Sequence, residues 1–225
     1  MRKILLALLA LLALVLAGCA SSSSTNAPRP KTAGPYPTHF GIEATVFWVG
    51  EASDSDNHFI PNASSAWVGD WQGEFGGIDD PNRRCQVYLP CFTYNENPFY
   101  FALPFNDYDK QGKLKASSDL SRIYWQNGPP APAASLVKNQ WIRVTNGGKV
   151  AYAQWEDVGP VNEDDINYVF GTAPPRYRAG LDLSPATAVA VGLDGEGPVS
   201  WTFVPPDQVP DGPWRAKTTT TGISQ

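Results

Sequence analysis

A mainly β domain of the small-barrel kind is what this sequence predicts, on three observations. Short alternating apolar segments recur along residues 39–214, 20 glycines and 21 prolines break up the 225-residue chain, and one helix alone carries both a start and a stop signal. Short strands joined by many turn residues close into barrels rather than stacking into α/β layers.

The elements follow in chain order. Ala44 to Val49 and Phe99 to Leu103 are apolar runs of strand length, rich in β-branched and aromatic residues. Trp141-Ile142-Arg143-Val144-Thr145 alternates, turns through Asn146-Gly147-Gly148 and resumes as Val150-Ala151-Tyr152-Ala153-Gln154-Trp155, the strongest hairpin signal in the chain. The helix opens with Ser184 as N-cap and Pro185 at its first position, runs through Ala186 to Val191 and stops at Gly192. A last strand, Val199 to Val204, puts Val199, Trp201 and Phe203 on one face.

Outside the domain, Arg2 and Lys3 precede an apolar run from Ile4 to Ala17, shorter than the roughly 20 residues a membrane span needs. Residues 1–18 therefore read as a signal peptide. Residues 19–38 are Ser-, Pro- and Thr-rich with few large apolar side chains and read as a disordered linker; 215–225 read as a flexible polar tail. Without Arg2 and Lys3 the chain keeps 15 basic against 22 acidic residues, a net charge near −7, which excludes nucleic acid as a partner because phosphate binding needs a basic patch. In an exported chain Cys85 and Cys91 read as a disulfide worth roughly 2 kcal/mol in so small a ring. No metal site is expected: His39 and His58 are not at ligand spacing from the cysteines, and Phe59 stands where a calcium loop after Asp54-Ser55-Asp56-Asn57 needs Gly.

Two resemblances extend this reading. Leu16-Ala17-Gly18-Cys19 resembles the lipobox of bacterial lipoproteins, which implies lipid on Cys19; Ala20 after it implies the outer membrane, facing the periplasm, if the cell has one. Several acyl chains anchor durably at roughly 0.8 kcal/mol per buried methylene. Ala44 to Gly50, Ala102-Leu103-Pro104-Phe105, Ile142 to Asn146, Asp157-Val158-Gly159-Pro160 and Leu181-Asp182-Leu183-Ser184-Pro185 fall in the order seen in rare lipoprotein A, expansins and family 45 endoglucanases. That resemblance implies a six-stranded double-psi β-barrel with one or two short helices and long loops. A weaker similarity to the membrane-bound lytic transglycosylase A family rests on Asp157-Val158-Gly159, Asp165 and Tyr168-Val169-Phe170-Gly171. Val158 stands where rare lipoprotein A has Arg, and no His follows in that loop.

These families imply cleavage or loosening of a β-linked polysaccharide, peptidoglycan or another β-linked glycan, by lytic transglycosylase or hydrolase chemistry; no cofactor is expected, and the chain is expected as a monomer. A general acid and, for hydrolysis, a second carboxylate are needed. Asp157, beside Trp155 and Val158, is the expected acid; Asp182, just before a helix N-terminus, is the expected fixed anion; Asp165 is a third candidate. Thr45 and Tyr168 belong to the matching segments, and Trp67, Trp71 and Trp155 are candidate sugar-binding aromatics. Trp67 and Trp71, in or beside the Gly- and Asp-rich stretch Val68 to Asp80, are expected as an exposed platform, and Trp48 and Trp201 as core. An expansin-like binder without catalysis and a structural envelope lipoprotein are the alternatives, because a fold does not fix a function.

Overall fold

The computed structural model describes residues 36–116, 120–125, 134–161 and 163–224. Cys19, the signal segment and most of the linker lie outside the described residues.

Six strands close a barrel. They are β1 (His39–Val46), β4 (Tyr100–Leu103), β5 (Trp141–Asn146), β6 (Lys149–Val158), β7 (Ala179–Leu183) and β8 (Gly197–Val204), adjacent in the order β1-β7-β4-β6-β5-β8. β2 (Arg84–Cys85) and β3 (Leu89–Pro90) form a separate two-stranded hairpin. Two pairs are parallel, β1 with β7 and β4 with β6, and the other neighbours are antiparallel. Exchanging β1, β4 and β5 for β6, β7 and β8 reproduces every pairing, the two-fold arrangement of a double-psi barrel. The helices among the described residues are short: α1 (Trp71–Phe75), α2 (Ile166–Val169) and α3 (Pro185–Val191).

The core follows from alternation. Ile142 and Val144 of β5, Ala151, Ala153 and Trp155 of β6, and Val199, Trp201 and Phe203 of β8 are all buried. Phe203 meets Trp155, Trp201 and Phe170 at ring-centroid distances of 6.0, 5.2 and 5.7 Å, an aromatic cluster filling the interior. Helix α3 is set locally: the Ser184 hydroxyl accepts from Thr187 N at 3.2 Å, and Gly192 closes the helix at φ 68°, where a side chain would be strained.

Two segments depart from the expectations. The Val68 to Asp80 stretch is not an open loop: Asp70 caps α1 by accepting from Gly73 N at 3.0 Å, and α1 turns Trp71 and Phe75 inward. Residues 216–224 are not a free tail but run back along the barrel. Gln154 brackets Thr219 with two bonds, Nε2 to its carbonyl at 3.0 Å and Oε1 from its amide at 2.9 Å, and Ser224 exchanges backbone bonds with Trp67 and Gly69. Cys85 and Cys91 are bridged across the β2–β3 hairpin, as their spacing predicts.

Candidate functional site

The site is built around one small residue. Ala102 of β4 lies opposite Asp157 of β6 on one side and opposite Asp182 of β7 on the other. Paired residues share a face of a sheet, and two strand spacings separate the aspartate backbones by about 10 Å. Phe101, one position earlier, pairs with Trp155 and Leu183, which face the interior. Regular alternation would also have sent Asp157 inward with Trp155. A bulge prevents this: between Phe101 and Ala102 the register on β6 advances from Trp155 to Asp157, and the extra residue, Glu156, turns Asp157 to the opposite face.

Asp157, Asp182 and Ala102 line a cleft of about 1440 Å³. Thr45 of β1 is in register with Asp182 and donates its hydroxyl proton to Asp182 Oδ1. Asp157 Oδ1 accepts from the amides of Ala66, at 2.7 Å, and Val158, at 2.8 Å, which ties the Ser65-Ala66 wall to the end of β6. Gly159 is required beside them, since a Cβ there would stand 2.7 Å from Asp182 Oδ2.

Burial raises Asp157 from 3.8 to about 7; its two amide bonds pull the other way, and the charge of Asp182 adds to the rise. Burial raises Asp182 to about 6, opposed by the Thr45 hydroxyl. Burial thus favours a proton on the pair, and the Thr45 hydroxyl on Asp182 favours its ionised form.

A third carboxyl, which sequence reasoning missed, belongs to the cleft. Glu51 is 8% exposed, and its Oε2 accepts from Asn62 Nδ2 at 2.8 Å. Burial carries it to about 7, and the charges of Asp54 and Asp182 add to the rise. Glu51 is placed by a fold-back of the chain, in which Gly50 N bonds to Asn62 O at 2.8 Å and Asn62 N to Glu51 O at 3.0 Å. No local motif announces that pairing.

The remaining candidates stand elsewhere. Trp67 and Trp71 are 0% and 1% exposed, so neither is a platform: their indole N–H groups donate to Asn106 Oδ1 at 3.2 Å and Glu96 Oε2 at 3.0 Å. Trp155 fills the barrel, and Tyr168 accepts a bond from Trp201 Nε1 at 2.9 Å beneath the sheet; both are fully buried and offer no face to a sugar. Asp165 does not line the cleft. Its Oδ2 accepts from Arg176 N at 2.8 Å and fixes the loop after α2. The aromatics that do line the cleft are Phe47, Tyr177 and Trp48, the last half-buried rather than in the core. Among the described residues no group of three or more His, Cys, Asp or Glu side chains is arranged to hold a metal ion.

No protein-family model matches the chain, and no curated protein matches it. Among solved structures it is similar to the Streptomyces papain inhibitor (SPI), at 15% identity and a TM-score of 0.30, over 76% of this chain and 98% of that one. The fold assignment rests on the strand pairing above.

Proposed function

We propose that this protein is a lipid-anchored envelope protein, similar to rare lipoprotein A and the expansins, that takes a strand of β-linked cell-wall polysaccharide, peptidoglycan first, into the Asp157–Asp182 cleft and cleaves it. The observation that carries the reading is the pair itself: two carboxyls flanking Ala102 in one cleft, both raised by burial and only Asp182 held by a side-chain hydroxyl. In that reading Asp157 gives its proton to the glycosidic oxygen as the bond to the anomeric carbon breaks. Asp182, held by Thr45, is ionised while that bond breaks and steadies the positive charge that develops on the sugar, until it takes the proton of the attacking group and solvent exchange returns a proton to Asp157. Water, or a hydroxyl of the same sugar in the lytic variant, attacks the anomeric carbon and loses its proton to Asp182. Trp48 and Tyr177 offer the flat faces on which sugar rings stack.

The experiment is incubation of the full-length protein with purified peptidoglycan, scored for released soluble fragments. Wild type is expected to release them and Asp157→Asn to release none while remaining folded; equal release by both overturns the assignment of Asp157. Membrane fractionation of Cys19→Ser tests the anchor: the substituted chain leaves the membrane fraction, and its retention after washing would contradict the lipobox reading.

A non-catalytic, expansin-like binder is the second reading. It is favoured by the two amide bonds to Asp157, which give that carboxyl a structural task of its own. Retention on peptidoglycan with no fragments released would select it.

A further inference from the structure

The charge of the cleft bears on which polysaccharide it takes, a question that rests on the glycan reading above. Beyond Glu51, Asp157 and Asp182, the lining carries Asp54 and Asp56, Glu163, and Asp194 and Glu196. Among the described residues of the lining, one guanidinium, that of Arg178, stands against these eight carboxyl groups. It is already engaged, at 3.0 Å from Glu43 and 2.6 Å from Glu196. Counted formally these groups sum to −7, and with Glu51 and Asp157, which burial raises to about 7, taken as protonated the described lining still carries −5, so the cleft is an acidic concave surface. A concave site lined by one sign of charge focuses its field on whatever enters.

Such a cleft repels an anionic polymer and gains nothing electrostatic from a neutral one. It also offers apolar contacts that a simple cation would not use: Tyr177 and Ile60 are 53% and 50% exposed, Val161 and Val189 are exposed as well, and all four line it. A chain of sugar rings bearing ammonium groups matches both features, with ring faces on Trp48 and Tyr177 and positive charges among the carboxylates. We infer that the preferred substrate is an amino-sugar polysaccharide whose amines are unacetylated, either a de-N-acetylated peptidoglycan strand or a glucosamine polymer. In this arrangement Asp54 and Asp56 hold ammonium groups at one part of the cleft lining, and Asp194 at another.

The test measures binding of full-length protein to β-1,4-linked glucosamine oligomers and to the same oligomers fully N-acetylated, at mildly acidic pH and at two salt concentrations. The expected result is tighter binding of the glucosamine oligomer, weakened by salt as screened charge pairs are. In the double variant Asp56→Asn, Asp194→Asn the ratio of the two affinities is expected to fall about fivefold, the scale of two exposed ion pairs. If the acetylated oligomer binds as tightly, or the preference survives both salt and the double variant, the charge inference fails and the glycan cleft stands. If neither oligomer binds and purified peptidoglycan is ignored, the glycan reading itself fails.

Discussion

Replacing Asp157 by Asn removes a buried charge while keeping an oxygen that can still accept from Ala66 N and Val158 N, so its effect on stability isolates the electrostatics of the site. The folded protein holds the Asp157 proton up to about pH 7, against an ordinary value of 3.8. A carboxyl whose folded value is raised stabilises the fold fully only below its unfolded value, and that contribution is lost as pH rises through about 7. The shift of some three units corresponds to about 4 kcal/mol between acid and alkaline conditions. Taking about half of that for burial of the amide and for relaxation of the site leaves about 2 kcal/mol, or roughly 4–8 °C in Tm for a domain of this size. Thermal melts should therefore show Asp157→Asn more stable than wild type at about pH 8, with the gap closing toward about pH 4. A variant that melts lower than wild type at both ends, or by an amount independent of pH, would show that Asp157 is a structural carboxylate stabilised by its amides and would refute the raised-acid reasoning.

Other perturbations read other parts of the account. Thr45→Val removes the donor that favours ionised Asp182, so any activity that needs that anion should have its acidic limb moved up by about one to two pH units, since a hydrogen bond to a charged group is worth about 1.5–3 kcal/mol; an unmoved limb would remove Asp182 from the reaction. Trp67→Ala should cost about 3–5 kcal/mol in denaturant unfolding, as a core tryptophan does, whereas a platform residue would leave stability unchanged and weaken binding alone. Cys85→Ser with Cys91→Ser should cost about 2 kcal/mol and leave glycan binding intact, because no residue of the β2–β3 hairpin lines the cleft; lost binding would mean that the bridge shapes the site.

What could be read from the sequence is what local chemistry decides. Ser184, Pro185 and Gly192 mark helix α3 within the span of the helix itself, and the alternation around Asn146-Gly147-Gly148 marks the β5–β6 hairpin for the same reason. The fates of Trp67 and Trp71 were hidden because five residues are too few to show a helical period, although Asp70 and Gly76 bound α1 as caps. Tyr168 and Asp165 stand out only through the similarity of a segment, which does not say which side of the chain faces a cleft. Asp157 and Asp182 were visible as residues, but their joint position depends on Ala102 between them and on the bulge at Glu156, and register between strands so far apart in sequence leaves no local trace. Glu51 is hidden for the same reason, since only its pairing with Asn62 brings it to the cleft wall.

The central claim is that Asp157 and Asp182 work as an acid and an anion across one cleft, and the pH dependence of fragment release from peptidoglycan tests it most directly. The account predicts a bell, rising as Asp182 ionises near pH 6 and falling as Asp157 loses its proton near pH 7, with the profile abolished in Asp157→Asn. Release that climbs steadily to high pH, or a bell unchanged in that variant, would contradict it.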